Sequence, residues 1–364
     1  MLQEKDFDIE PCLQNGPIAN QAQSVIAAAQ MLGTSRWASI MRTWCILYLF
    51  EKKELIFHSG EEPVRAINQS LETLSQFLLA AASSGFGHLG RPEKNDHKAS
   101  TVSSSDLKEV TGQYYGRLFQ SFSSTSYWDE PARLLRLRLE RNEIPISGLQ
   151  GKRVLDAGCG GGRYTVAWRL LGAKPVTGFD ISATGISDAK RRVDQAGIDD
   201  VNFEQGNVLD LPYAENAFDV VFSNGVLHHT TDWKSGVVEL VRVLKPGGFG
   251  WLYLIERPGG LFWDVNEVLR VIMRNEQRDL ATTALQILGL PANRIFYLLD
   301  HIMVPINISL TADEIEACLL EAGATRIRRL SRGTDFDRIE QIYQGEPFAQ
   351  LKYGVGENRY VFSK

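Results

Sequence analysis

The sequence predicts a doubly wound parallel α/β sheet preceded by a mostly helical N-terminal domain. Three observations lead there. From Lys152 onward, short apolar strand candidates alternate with helical segments, the texture of parallel strands joined by crossover helices. A run of glycines follows the first of those strands directly. Ahead of residue 85, apolar residues recur at steps of three and four, the period of an amphipathic helix. The 364 residues are enough for about two domains.

Composition narrows the function classes. Hydrophobic residues make up 44% and charged residues 23%, ordinary values for a globular protein, so disordered and fibrous classes are excluded. Thirty-nine Lys and Arg against 44 Asp and Glu leave a net charge of −5, which argues against nucleic acid as the main partner. The four cysteines, Cys12, Cys45, Cys159 and Cys318, form no CxxC pair. A disulfide framework and a structural zinc site are not expected, no other metal-ligand pattern stands out, and a reducing, cytoplasmic location is. The apolar runs Cys45 to Phe50 and Phe77 to Ala82 are too short to cross a bilayer, and MLQEKDFDIE is acidic where a signal peptide is basic.

Element by element, residues 1–85 form the helical domain. Ile40, Trp44 and Leu47 mark one helix; Ile67, Leu71, Leu74, Leu78 and Ala81 mark the face of another. Between them, LYLFEKKELIFHSG reads as a short hairpin. This domain is expected to pack on the rest, to pair with a second copy in a homodimer, or to cover a substrate. Residues 86–106, rich in Gly, Ser and Lys, read as a linker. Residues 107–364 form the α/β domain. Asp106 to Phe122 reads as a helix bearing Tyr114 and Tyr115, and Pro131 to Asn142 as a surface helix of alternating Leu and Arg. Strands are expected at Arg153–Asp156, Pro175–Asp180, Val201–Gln205, Asp219–Ser223, Gly248–Ile255, Thr325–Leu330 and Asn358–Phe362. Residues 256–309 are long for a connection and predict a helical cap insertion. LTADEIEACLLEAGA carries a capping box, Thr311 with Glu314. Gly333 to Gly354 reads as a solvated loop.

The chemistry concentrates in VLDAGCGGGRYT, Val154 to Thr165. In open α/β sheets, ligands bind beyond the carboxyl ends of the strands, where the strand order reverses. Two patterns compete for such a loop. A dinucleotide fingerprint, G-x-G-x-x-G/A, fails because Arg163 stands at its last position. The pattern present is D-x-G-x-G-x-G, made by Asp156, Gly158, Gly160 and Gly162; an acidic side chain there suits a ligand carrying an ammonium group and a positive centre.

This segment resembles motif I of the class I S-adenosylmethionine-dependent methyltransferases. GFDIS, NVLDLPY, FDVVFSNGVLHH and LVRVLKPGGFGWLYL resemble the family's following motifs in the same order. The wording is closest to the small-molecule type with a ubiquinone/menaquinone C-methyltransferase-like core. The resemblance covers Val154 to Leu254 closely and Leu310 to Phe362 loosely. It implies a Rossmann-like, seven-stranded methyltransferase sheet, S-adenosyl-L-methionine as cofactor and S-adenosyl-L-homocysteine as product.

The resemblance also implies roles. Gly158, Gly160 and Gly162 would line the methionine part of the cofactor, and Asp156 would hold its amino group. Asp180, 22 residues beyond Gly158, would take the ribose hydroxyls, with Ile181 beside it. Asn207 and Val208 would bracket adenine, Asn207 standing where many relatives carry Asp, and Asn224 would offer its backbone carbonyl. His228 and His229 follow the fourth strand and are the candidate general bases. Tyr114, Tyr115, Trp128, Tyr297, His301 and Arg338 are the candidate contacts of a small or medium-sized organic acceptor. An RNA or protein substrate, motivated by the RIRR run at Arg326 to Arg329, and a non-catalytic cofactor-binding module are the rivals.

Overall fold

The structure is a computed structural model and describes residues 11–84 and 127–364. The expected linker, and the expected helix with Tyr114 and Tyr115, lie outside the described residues. The chain divides into two units. One holds the N-terminal helices together with Gly259–Val304 and Pro347–Gly354; the other holds the segment up to Pro258, Pro305–Glu346 and Val355–Lys364.

In the helical unit, the expected hairpin is instead the second half of one long helix, Arg36–Ser59. LYLFEKKELIF contains no turn residue, and its buried side chains, Leu49, Phe50, Lys53, Ile56 and Phe57, follow helical rather than alternating spacing. Ser35 caps the start by accepting the Ala38 N–H, and Gly60, at φ +75°, ends it. Helix Pro63–Ser83 buries Ile67, Leu71, Leu74 and Leu78, as its period predicts. The insertion is helical, as expected, with helices Gly260–Met273, Arg278–Ile287 and Ala292–Ile302. Leu261, Val265, Leu269, Leu285 and Leu298 share one core with the N-terminal helices. Polar ties also join these helices, among them Lys53 Nζ donating to Asn266 Oδ1 at 3.0 Å and Arg42 pairing with Glu276 at 2.7 Å.

In the other unit, the strands are β1 (Val154–Ala157), β2 (Val176–Asp180), β3 (Val201–Gln205), β4 (Phe218–Asn224), β5 (Leu244–Leu254), β6 (Thr325–Arg329) and β7 (Asn358–Ser363). All seven were expected, most to within a residue or two at each end; β5 begins four residues earlier. Their order is β3-β2-β1-β4-β5-β7-β6. The first five are parallel, and β7 runs antiparallel to both β5 and β6. The order therefore reverses between β1 and β4, which opens a crevice at their carboxyl ends. Helix Ala312–Glu321 carries the expected capping box.

Two expectations about charge are overturned. Helix Asp129–Arg141 is not simply a solvated arginine surface, because Arg138 is buried and grips Asp337 with two bonds of 2.8 Å. The presumed loop after Gly333 contains helices Arg338–Tyr343 and Ala349–Tyr353 and supplies buried acids and bases. Asp337 also takes Arg359 at 3.1 Å, Arg359 approaches Glu357, and Arg338 pairs with Glu256 at 2.7 Å. Three arginines thus face three carboxylates in the interior. Burial alone would raise the Asp337 carboxyl, but Arg359 and Arg138 hold it far below the usual carboxylate range.

Asp337→Ala should cost about 3 kcal/mol or more in urea unfolding, because it strands two buried guanidinium groups. Glu340 adds a pH signature. Burial pushes it up, yet Arg332 and the Gly333 N–H prevail and set it at about 2, below its ordinary 4.5. A depressed carboxyl contributes stability above its unfolded value, lost as pH falls through the folded one. Wild type should therefore lose stability between about pH 4.5 and 2 more steeply than Glu340→Gln, measured by denaturant midpoints across that range.

Candidate functional site

The glycine loop begins where β1 ends. The Gly158 and Cys159 N–H groups both donate to the Phe179 carbonyl, at 2.7 and 3.1 Å, so the loop turns over the end of β2. Gly158 has φ +88°, and a Cβ there would lie 2.3 Å from Val226; Gly162 has φ +78°, and its Cβ would strike the Phe203 ring at 2.5 Å. Neither position accepts a side chain without displacement of its neighbour.

Asp180 ties this loop to the next one. Its Oδ2 accepts the Gly160 N–H and its Oδ1 the Ser182 N–H, each at 2.8 Å. Burial raises its carboxyl, against the lowering effect of those two bonds. Each oxygen keeps a second lone pair for a hydroxyl donor. Asp156 is buried, with Oδ2 accepting the Thr165 hydroxyl at 2.6 Å. Burial lifts its carboxyl to about 7, so an adjacent cation is needed to keep it charged. Cys159 is buried as well; burial, then Asp180 and Asp156, push its thiol well above its ordinary value, so it is no nucleophile.

Asn207 forms a turn in which its Oδ1 accepts the Leu209 N–H at 3.1 Å, and Val208 is buried beside it. The Gly206 N–H donates to the Asp180 carbonyl, which draws this turn to the end of β2 and to Ile181. Asn224 ends β4, its side chain accepting the Trp251 indole N–H at 3.1 Å. Asp156, Gly158, Gly160, Gly162, Asp180, Asn207 and Asn224 therefore all stand at the carboxyl edge of the sheet, on β1 to β4 and their exit loops.

His228 and His229 occupy a short 3₁₀ turn, Leu227–His229, after β4. Their rings lie 4.1 Å apart. His228 Nδ1 accepts the Ile255 N–H at 3.3 Å, whereas His229 Nδ1 meets the Ile306 carbonyl at 2.8 Å.

The acceptor candidates are dispersed. Trp128 stacks edge-to-face on Tyr127 at 4.5 Å and packs against the group of Cys159, Ile186 and Phe203. Arg338 sits in the buried charge network, bonded to Glu256. Tyr297 and His301 belong to the helical unit, where they stack on each other at 4.6 Å. In helix Ala292–Ile302 they lie a single turn apart. Tyr127, which the sequence offers with Trp128 only as a pocket-lining aromatic, supports the glycine loop: its hydroxyl donates to the Gly161 carbonyl at 2.9 Å, and Arg163 and Arg192 flank its ring. An aromatic pair just ahead of an acidic helix start was the only signal for it.

The donor set fits S-adenosylmethionine. A carboxylate with spare lone pairs ends β2, a cradle that a Cβ would fill follows β1, and Asp156 lacks only a cation. Tyr127→Phe should release the Gly161 carbonyl and weaken binding of that cofactor by about threefold to tenfold, for about 1 kcal/mol of lost hydrogen bond, read by calorimetry. Asp156 predicts a stability slope in the cofactor-free protein. Its folded value of about 7 lies above its ordinary 3.8, so its contribution is complete at low pH and is lost as pH rises through 7. Asp156→Asn should flatten the decline in melting temperature between about pH 4 and 7.

Comparison with known proteins agrees with this geometry. Residues 155–252 match the methyltransferase domain family. The chain is 34% identical over 153 residues to the 27-O-demethylrifamycin SV methyltransferase of Amycolatopsis mediterranei, covering 40% of this chain and 56% of that protein. It is 35% identical over 123 residues to the fatty-acid O-methyltransferase of Mycolicibacterium smegmatis, covering 34% and 43%. The chain thus spans about half the length of the curated relatives it matches. Among solved structures, an S-adenosylmethionine dependent methyltransferase from Mesorhizobium loti superposes with a TM-score of 0.43 at 17% identity, covering 64% of this chain and 98% of that one. Over residues 155–252 this chain is similar to methyltransferase domains.

Proposed function

We propose that this chain transfers the methyl group of S-adenosylmethionine to a small or medium-sized organic acceptor by in-line displacement. The observation that carries the reading is the loop clasp at the β1–β2 edge. There Asp180 receives the Gly160 and Ser182 N–H groups and keeps lone pairs for the cofactor's ribose. The names of the relatives, which methylate a demethylrifamycin and a fatty acid, support a small-molecule acceptor.

When bound, the cofactor supplies an electrophilic methyl group on a sulfonium, with a neutral thioether as leaving group. The residues of this chain do the rest. Gly158, Gly160 and Gly162 let the backbone approach the methionine part, and Asp156 faces its ammonium group. Ile181, Asn207 and Val208 bracket adenine, and Asn224 contributes its backbone carbonyl. Displacement needs the acceptor atom aligned at near-contact distance, which is a matter of positioning. An acceptor hydroxyl also needs somewhere for its proton to go. His229 suits that task, since a carbonyl can only accept, so the neutral ring carries its proton on Nδ1 and its lone pair on Nε2. His228 has the opposite arrangement, because its Nδ1 accepts a backbone N–H. His229 is the preferred base on this ground.

The basic run that motivates an RNA substrate has structural uses. Arg328 bonds the Asn142 carbonyl and Arg329 the Val355 carbonyl. No helix among the described residues is long and apolar enough to cross a membrane.

Calorimetric titration with S-adenosylmethionine and S-adenosylhomocysteine tests the reading. Both should bind, and Asp180→Ala should weaken both by at least about tenfold, since charge-assisted bonds are worth roughly 1.5–3 kcal/mol. Unchanged affinity in Asp180→Ala would overturn the site. His229→Gln should leave cofactor affinity intact and lower kcat by about 100-fold on a hydroxyl acceptor.

A further inference from the structure

The pair of histidines is held by two backbone stretches, which also pair with each other. One is the exit of β5, which gives the Ile255 N–H to His228 Nδ1. The other is PINISL, 305–310, the first residues of the chain as it re-enters the sheet-bearing unit. Ile308 N–H donates to the His228 carbonyl at 3.0 Å, and the Ile306 carbonyl takes His229 Nδ1 at 2.8 Å. Leu310 is bound twice by that first stretch: its N–H goes to the Ile255 carbonyl at 2.9 Å, and its carbonyl accepts the Arg257 N–H at 2.8 Å. Residues 306, 308 and 310 all use the same edge, as alternate residues of an extended chain must. A slip of one residue would turn that edge away from the histidines.

The register of this strap has a side-chain anchor. Asn358, the first residue of β7, is fully buried, and its Nδ2 donates to the same Leu310 carbonyl at 2.8 Å. That carbonyl thus receives two donors, Arg257 N–H and Asn358 Nδ2.

We infer that Ile306–Leu310 is a positioning strap that sets the proton of His229 on Nδ1, and that Asn358 is the residue that holds the strap in register. The inference rests on His229 serving as base in the proposed transfer. Its chemistry follows from the donors alone. A carbonyl accepts and an amide N–H donates, so the two adjacent rings are forced into opposite neutral tautomers. Asn358 acts through the strap and is a positioning residue; His229 is the group presented to the acceptor.

The test reads tautomers and needs no acceptor. The full chain is labelled with ¹⁵N-histidine, and long-range proton–nitrogen correlation spectra are recorded at a pH where both rings are neutral. His228→Gln and His229→Gln assign the signals. His229 should show the Nδ1–H pattern and His228 the Nε2–H pattern. In Asn358→Ser, His229 should lose its pure Nδ1–H pattern and show a mixture, while S-adenosylmethionine affinity by calorimetry is unchanged. An Nε2–H pattern on wild-type His229, or an unaltered tautomer in folded Asn358→Ser, would overturn the inference. If Asn358→Ser does not fold, the same readout is taken on Asn358→Asp, which keeps the shape but cannot donate, and the wild-type tautomer of His229 still decides. A wild-type Nδ1–H pattern lost in the anchor variant, combined with no cofactor binding, would leave the strap standing and remove the methyl-transfer reading.

Discussion

Two backbone N–H groups converging on one carboxylate, that of Asp180, hold the site together. Gly160 and Ser182 belong to separate loops, after β1 and after β2, and nothing in their sequence positions brings them together. The shared acceptor does so, and it fixes where the glycine backbone lies relative to the end of the sheet. The consequences spread outward. Helix Ala183–Ala196 can begin directly after Ser182, whose own hydroxyl caps it at the Gly185 N–H. Gly185 passes so near the Gly160 carbonyl that a Cβ would lie 2.9 Å from it. Because the carboxylate is buried, ionising it is costly unless donors surround it. Two are built in, from Gly160 and Ser182.

The far side of the same unit is organised by a different use of charge. Arg138, Asp337, Arg359, Glu357, Arg338 and Glu256 come from elements widely separated in sequence and meet in the interior. Such a network is a poor source of net stability, since desolvation offsets much of the attraction, but it is intolerant of losing any member. It therefore specifies the docking of helix Asp129–Arg141 and of the segment after Gly333 more than it strengthens them. Glu256 belongs both to this network and to the exit of β5, where it pairs with Leu310. The charge network and the strap beside the histidines thus share one stretch of backbone.

The fold was legible wherever a local pattern has only one solution. Strands β1, β2 and β4 are short apolar runs bounded by glycine, proline or polar residues, and a run buried on both faces has little alternative to a central parallel strand. The capping box at Thr311 is satisfied within four residues and was readable for that reason. The failures share the opposite property. LYLFEKKELIFHSG has strand-like side chains, and its neighbours in the helical core decide that it stays helical. Arg138 looks like its exposed neighbours Arg133 and Arg136 in sequence; distant partners, Asp337 at 199 residues and the Tyr164 hydroxyl, make it interior.

The sequence by itself determined the succession of strands and helices along the chain, the glycine loop, and the acidic residue at the end of β2, because periodicity, backbone freedom and motif spacing are local properties. The tertiary structure alone decided that the Tyr127 hydroxyl supports the Gly161 carbonyl, which carboxylates lie buried among arginines, and which backbone group meets Nδ1 of each histidine. Those outcomes depend on donors and acceptors brought within 3 Å or so by chain segments up to about 200 residues apart. A hydrogen bond loses its strength over a fraction of an ångström, so such pairings become fixed only once the core has packed.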